Sequence, residues 1–411
     1  MEHLNILRAA EEALLPIFSE IDNQVKQNLR KVLQAFCNHR VGVYHFSSVT
    51  GYGYSDLGRD TYDIILAEIF QAEAALARVQ LVSGTHAIAC ALYGILRPGD
   101  EMLSLTGAPY DTLEEVIGLR GDGQGSLKDF GISYRQIDLT EYGEVDWEAI
   151  STAVNLQKTR LVFIQRSCGY SWRASLSISQ IERIIKIVKQ QNPNVVCFVD
   201  NCYGEFVENN EPTGVGADLM AGSLIKNPGG TIVTAGGYLA GRAKYVEAAA
   251  RRLTSPGIGS HLGATFDQNR LLFQGLFLAP QMVGESLKSG HLIAHVFDSL
   301  GYQVNPKPLL PKRDVIQAVA LGSREKLIAF CRAIQKLSPV GSYLEPVPFS
   351  TPGYHDELVM AGGTFIEGST SELSADGPLR EPYIVFCQGG THWTHTSLVL
   401  ESLLEEGNNL L

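Results

Sequence analysis

The sequence predicts an α/β fold: a mostly parallel seven-stranded sheet with helices on both faces, followed by a smaller α+β C-terminal part. Three observations lead there. Short β-branched runs alternate with helical patterns from residue 61 to about 235, the mark of parallel strands joined by crossover helices. Turn residues punctuate the alternation, as at Pro98-Gly99-Asp100. After Gly301 the order changes to strands mixed with helices.

The elements follow in chain order. Residues 3–38 read as one or two amphipathic helices, and 39–60 as a Gly- and Tyr-rich loop. A helix over 61–77 precedes the strand ARVQLV at 77–82. Ser83 opens a helix that stops at Pro98. Strand EMLSL, helix DTLEEVIGL, strand ISYRQIDL and a helix opening at Asp146 come next. Strand RLVFIQ leads to helix ISQIERIIKIVKQQ, and strand NVVCFVD ends at Asp200. Apolar runs near 219–225 and 231–235 are two more strands, and helices fill 242–300. Beyond Gly301, DVIQAVALG and EPYIVFC read as strands, and REKLIAFCRAIQKL and SLVLESLLEE as helices. The parts divide at 1–60, 61–300 and 301–411.

Composition narrows the function. Of 411 residues 45% are hydrophobic and only 19% charged, against a usual charged share of about 25%. Glycine is abundant, at 41 residues. A disordered chain needs the opposite balance, so the low charge points to extra buried surface in a core or between subunits. The net charge of −11 argues against nucleic acid and anionic lipid as partners. No run of 18 apolar residues and no signal-peptide pattern stands out. The seven cysteines include no CxxC pair and read as reduced thiols of a cytoplasmic protein.

The stretch 214–243 carries three charges in thirty residues: Asp218, Lys226 and Arg242. Lys226 sits in the apolar segment SLIKNPGG. Desolvation there is expected to lower its pKa, and a neutral amine can form a Schiff base. The plainer reading is a strand-end lysine with its ammonium in water. Asp200 ends a parallel strand, at the edge where open α/β sheets bind ligands. It can hold a protonated pyridine nitrogen or simply cap a loop. Ser83-Gly84-Thr85-His86 follows a strand and opens a helix, a start that suits a phosphate. Gly84 admits close backbone approach, while Ser83, Thr85 and Ser223 offer hydroxyls. A plain N-cap serine explains Ser83 equally, and His86 reads as a satisfied helix-start histidine. Tyr110 ends the next strand, where an aromatic can stack on a flat ring or fill the core. Each feature taken singly is weak. Their common placement at strand carboxyl ends fits one ligand, a flat phosphorylated pyridine aldehyde held as an imine. No GxGxxG follows an early strand, which weakens a nicotinamide-binding alternative. No metal-ligand cluster is visible.

On these residues the chain resembles the fold-type-I pyridoxal-phosphate enzymes, in their cystathionine lyase and methionine gamma-lyase branch. The runs GYGYSDLGRDTYD, SGTHAIACALYGILRPGDEM, FIQRSCGYSWRASL, VDNCYGEFVE and GSLIKNPGG resemble a bacterial group labelled aluminium-resistance proteins or cystathionine beta-lyases. The resemblance spans nearly the whole chain. It implies pyridoxal 5'-phosphate held as an imine on Lys226, which would also move the substrate's Cα proton. Asp200 would pair with the pyridine nitrogen. Ser83, Gly84, Thr85 and Ser223 would hold the phosphate. Tyr110 would stack on the ring and assist proton transfer. Arg380, in GPLREPYIVF, would bind the carboxylate of a small amino-acid substrate. Residues 1–60 would be a helical arm and active-site loop, 61–300 the cofactor domain and 301–411 a small domain. The active unit would be a homodimer, within a tetramer.

The sequence departs from the family at three places. The lyases place a tyrosine and an arginine two apart to reach the neighbouring subunit's phosphate; here Tyr54 and Arg59 are five apart, with Tyr52 also near. Ile225 stands where a hydroxyl is common. Gln165-Arg166-Ser167-Cys168 replaces an Asn-Pro segment facing the cofactor's phenolic oxygen, with Arg166 or Ser167 as its substitute. The implied reaction is carbon–sulfur elimination from the β or γ carbon. Transamination, aldol cleavage, decarboxylation and a non-catalytic role are the alternatives.

Overall fold

Two sheets and ten α-helices make up the computed structural model, which describes residues 2–154 and 157–405. Met1 and residues 406–411, assigned above to the first and last parts, lie outside the described residues, as do residues 155–156. The first sheet holds β1 (Ala74–Arg78), β2 (Glu101–Ser104), β3 (Ser133–Gln136), β4 (Thr159–Gln165), β5 (Val196–Asp200), β6 (Leu219–Ser223) and β7 (Gly237–Gly241). Their spatial order is β1-β7-β6-β5-β4-β2-β3. Strands β2 to β6 run parallel, and β7 lies antiparallel between β6 and β1. The helices are α1 (Glu2–Asn38), α2 (Leu57–Ile69), α3 (Gly84–Ile95), α4 (Asp111–Ile117), α5 (Trp147–Ser151), α6 (Ile178–Gln191), α7 (Ala243–Leu253), α8 (Asn269–Ser299), α9 (Arg324–Lys336) and α10 (Trp393–Glu405).

Alternation along each strand divides the core. Leu161, Phe163, Val196, Phe198, Leu219 and Leu239 face one layer, built on α3, α4 and α7. Val162, Ile164, Cys197, Val199, Met220 and Ala240 face the other, under α1, α2, α6 and α8. A strand buried on both faces has no polar alternation, which is why these runs read as continuous apolar stretches. None of the helices among the described residues is long and apolar enough to cross a membrane.

Two expected boundaries move. The helix placed at 61–77 spans Leu57–Ile69, because the Asp56 carboxylate accepts from the Arg59 N–H as N-cap and the chain turns at Gln71, where φ is 54°. The strand placed at 77–82 accordingly lies at 74–78. The run 231–235 is a turn and not a strand; Thr231 has φ 72°, and the extended segment is β7, five glycine- and alanine-rich residues further on.

The second sheet contains β8 (Gln303–Asn305), β9 (Ile316–Ala320), β10 (Leu358–Ala361), β11 (Ser374–Pro378) and β12 (Ile384–Gln388), ordered β10-β11-β12-β9-β8 and antiparallel throughout. Helix α9 packs on one face. The opposite face, with Ile316, Ala318, Ile384 and Phe386, meets Cys168, Tyr170 and Tyr203 beyond the carboxyl ends of β4 and β5. That contact closes one side of the crevice at the edge of the first sheet.

Helices α1 and α8 form the long spine beside the first sheet. They approach closely at Gly284, where an added Cβ would lie 2.3 Å from Val25 Cγ2. Gly284→Ala should therefore destabilise the protein by about 1–3 kcal/mol, seen as a lower thermal midpoint. Adding Val25→Ala should recover part of that loss; a double variant no better than the single would refute the steric account.

Candidate active site

Strand β6 delivers Ser223 to the sheet edge, and three residues later Lys226 begins a tight turn over Asn227–Gly229. The turn needs its glycines. A Cβ on Gly229 would lie 2.1 Å from the Leu224 carbonyl oxygen, and Gly230 has φ 52° with the Gly275 carbonyl where a Cβ would go. Asn227 locks the turn: its Nδ2 donates to the Glu205 carbonyl at 3.0 Å, and its Oδ1 accepts from Thr370 Oγ1 at 3.0 Å. Lys226 is thus held between rigid neighbours, deep in the crevice but with part of its surface open.

The Lys226 Nζ lies 3.5 Å from the centre of the Tyr203 ring, a cation–π contact. Among the described residues no carboxylate lies within ion-pairing distance of it, whereas the segment's other two charges pair: Asp218 meets Arg242 at 2.8 Å and Lys189 at 2.6 Å. Burial works to lower the amine's pKa, as expected. Tyr203, Cys202 and Asp200 outweigh it, so the amine sits above its ordinary value, which corrects the expectation of a depressed pKa.

Asp200 pairs in register with Gln165 and Ala221, placing its side chain beside both neighbouring strand ends. It is buried, and its Oδ1 accepts from the Cys202 N–H at 3.0 Å. Burial raises its pKa, against the Cys202 hydrogen bonds and the charges of Lys226 and Arg173. Both readings of Asp200 therefore hold in part: it caps a turn and still faces the crevice.

The start of α3 forms the floor. Ser83 accepts from the His86 N–H at 3.1 Å as N-cap, and His86 Nδ1 accepts from the Val82 N–H. A Cβ on Gly84 would lie 3.0 Å from Cys202 Sγ and 3.6 Å from Ser223 Cβ, so glycine eases the close approach of this helix start to the ends of β5 and β6. Thr85 Oγ1 is 2.9 Å from the Tyr110 hydroxyl. The Tyr110 N–H donates to Gln165 Oε1 at 2.9 Å. Burial, with Asp200 nearby, raises the Tyr110 pKa well above its usual value. Lys226, Asp200, Gly84, Thr85, Ser223 and Tyr110 are thus brought together, with Ser83 at their margin.

Other expected residues lie elsewhere. Tyr54 and Tyr52 are exposed. The Arg59 guanidinium is committed within its own chain, donating to the Gly53 carbonyl at 2.5 Å and the Gly263 carbonyl at 3.0 Å and pairing with Asp60 at 2.8 Å. With Arg78 and His261, Tyr54 and Arg59 line a separate hollow of about 690 Å³. Arg166 is buried in a network with Asn201, the Gly204 carbonyl and Glu208, each at 2.9 Å, so its side chain does not substitute for the Asn-Pro contact. Ser167 Oγ donates to Asp314 Oδ2 at 2.8 Å. Arg380 is half-exposed at the crevice mouth, pairing with Asp356 at 3.0 Å and reaching toward the Tyr170 carbonyl.

Sequence reasoning missed Tyr203, Cys202, Tyr170, Tyr354 and Asp376. Tyr203 faces Lys226 only because its backbone takes φ 72°, which no spacing rule signals. Tyr170 stacks near Tyr354, with ring centres 5.9 Å apart, through a contact between segments far apart in sequence. Asp376 could have been flagged as the lone acid in a small-residue strand, SADGP.

Comparison with known proteins matches residues 3–407 to the methionine gamma-lyase family model. The chain is 50% identical over 396 residues to the uncharacterized protein YnbB of Bacillus subtilis, covering 96% of this chain and 94% of that one. A Listeria monocytogenes structure described as a candidate cystathionine beta-lyase involved in aluminium resistance superposes with TM-score 0.95 at 45% identity, covering 99% of this chain and all of that one. A carbon–sulfur lyase involved in aluminium resistance from Clostridium novyi gives TM-score 0.93 at 44% identity, over 98% and 96% of the chains.

Glu205 lies behind the crevice, where its Oε1 accepts from the Tyr238 hydroxyl at 2.7 Å and its Oε2 is buried without a partner among the described residues. Burial pushes its pKa up to about 8. A carboxyl with a raised folded pKa favours the folded state below its unfolded value, and that advantage is lost as pH rises through the folded pKa. Stability from this group should fall between about pH 4.5 and 8. Glu205→Gln should flatten that slope, by up to about 1.4 kcal/mol per pH unit, in denaturant titrations across this range. Parallel wild-type and variant profiles would refute the assignment.

Proposed function

The chain belongs to the methionine gamma-lyase family, and on that premise we propose that it is a carbon–sulfur lyase using pyridoxal 5'-phosphate on a sulfur-containing amino acid. The observation that carries this reading is Lys226: an amine in a crevice with no carboxylate in ion-pairing distance among the described residues, sharing that crevice with a buried aspartate and a glycine-floored helix start. The residues fit the cofactor. Gly84 keeps the helix start close to Cys202 and Ser223, the α3 start offers N–H donors to an anion, and Asp200 supplies a buried anion for a protonated ring nitrogen. We infer on the same basis that the fold is type I.

When bound, the cofactor supplies an electron sink for charge developing at the substrate Cα. Lys226 would hold its aldehyde carbon covalently and, once released, carry the Cα proton. Loss of the amine's own proton must come first, because its neighbours favour the ammonium. Asp200 would keep the ring nitrogen protonated. Gly84, Thr85 and Ser223 would hold the phosphate, and Tyr110, steadied by Thr85 and Gln165, would stack on the ring. Arg380 would exchange its exposed pairing with Asp356 for the substrate carboxylate. The products would be a thiol, a keto acid and ammonia.

We place a homo-oligomer contact on the surface shared by residues 43–54, 82 and 264–267. Val43, Tyr52, Val82 and Phe266 are 69–81% exposed there. Gly263 donates to the Tyr52 carbonyl, Gln80 to the Ala264 carbonyl and Ser48 to Asp267, making the patch continuous. A contiguous apolar patch of this kind marks an interface. The cytoplasm is the compartment that suits seven free cysteines.

The purified holoenzyme should be coloured, and borohydride should bleach it and fix the label on Lys226. Lys226→Ala should abolish both labelling and thiol release. Asp200→Asn should lower turnover by about a hundredfold or more. Cofactor retention with keto acid but no thiol from any sulfur amino acid would reject the carbon–sulfur reading.

A further inference from the structure

Opposite Lys226, the second sheet turns a polar group of side chains into the crevice that the chemistry above does not use. Ser374 and Asp376 are two residues apart on β11 and so share a face, and Ser374 registers with Gln388 of β12. It is the face that carries Phe386, whose ring lies 5.3 Å from that of Tyr170, and it looks toward the edge where Lys226 stands. Asp376 is only 8% exposed and Ser374 only 7%. Gln388 Nε2 donates to Asp376 Oδ2 at 3.2 Å, and Tyr170 nearby favours the ionised form of the same carboxylate. Both partners are neutral. Among the described residues no cation pairs with Asp376, although Lys226 is within electrostatic reach. Two further acceptors stand beside it: Gln388 Oε1 and Ser374 Oγ are buried with no hydrogen-bond partner among the described residues.

We infer that Asp376, Gln388 and Ser374 form a subsite for a second ammonium group, so that the substrate is an amino acid carrying an amine on its side chain. The inference rests on the reading of Lys226 as the reacting end. Three groups able to accept stand together on this face, one of them a carboxylate, and the Gln388 amide N–H is already committed to that carboxylate. An ammonium has three donors and no acceptor, so it matches the set in number and in sign. An anion or a second carboxylate would meet the like charge of Asp376. A plain thioether such as methionine would leave Gln388 Oε1 and Ser374 Oγ unpaired, at the cost that attends buried polar groups without partners. Burial supports the same view: it raises the Asp376 carboxyl to about 6, above its usual range, against Tyr170, Lys226 and Gln388. A ligand cation would supply the counter-charge that the protein does not.

Two isosteric pairs test the subsite on the holoenzyme. L-lysine and L-2-aminoheptanoic acid differ only in a terminal ammonium against a terminal methyl and cannot eliminate a thiol, so calorimetry reads binding alone. S-(2-aminoethyl)-L-cysteine and S-propyl-L-cysteine report the same difference through thiol release. Wild type should prefer the amine of each pair by about tenfold or more. Asp376→Asn should bring both ratios near unity while still retaining cofactor. Ser374→Ala, a milder change, should reduce the preference partially and serves if the Asp376 variant does not fold. Absence of the preference in wild type, its persistence in both variants, or an equal fall for both members of each pair overturns the subsite. If lysine is preferred in an Asp376-dependent way but no cysteine derivative yields thiol, the subsite stands and the carbon–sulfur reading fails.

Discussion

The contact of the Lys226 amine with the Tyr203 ring, 3.5 Å from Nζ to ring centre, is the constraint around which the crevice is organised. An amine this deep is costly unless something compensates its charge. A carboxylate within ion-pairing distance would compensate it but would also tie it up. The ring face, with Asp200 set further off, steadies the ammonium and leaves its covalent chemistry available. The surrounding sequence serves that arrangement. Glycines at 229 and 230 admit the turn that follows the lysine, and Asn227 pins the turn to Glu205 on one side and Thr370 on the other.

The two sheets contribute unequally. The parallel sheet supplies the reacting end, because its strands stop together and leave Asp200, Ser223 and Gln165 along one edge. The antiparallel sheet supplies the far wall, where Asp376 and its neighbours face the lysine across the crevice. The apolar contact of Phe386, Ile316 and Ala318 with Tyr170, Tyr203 and Cys168 joins the two walls beside Lys226.

Much of this was legible in the chain. Continuous apolar runs gave the doubly buried strands, and Ser83, Asp146 and Ser177 cap the helices they precede. The turn at 231–235 was not legible, since a short apolar run reads as a strand although only Val233 of it enters the core. The start of α2 moved because an Asp56 cap overrides propensity. In the site, Arg59 and Arg166 looked available, yet each is consumed by its own chain's carbonyls and carboxylates. A buried arginine network has no periodicity, so spacing cannot distinguish it from a ligand-binding arginine.

The sequence by itself determined the alternation of strands and helices, the glycine-floored helix start, and the pairing of a strand-end aspartate with a lysine in an uncharged segment. These are local properties, carried by composition and spacing within a few turns of chain. Only the tertiary structure decided which charges remain available: it matched Asp218 to Arg242 and Lys189, left Lys226 to Tyr203, and set Asp376 opposite with no paired cation among the described residues. Partners separated by tens to hundreds of residues meet through the folding of two sheets onto each other, and pairing at that range is a property of packing rather than of local order along the chain.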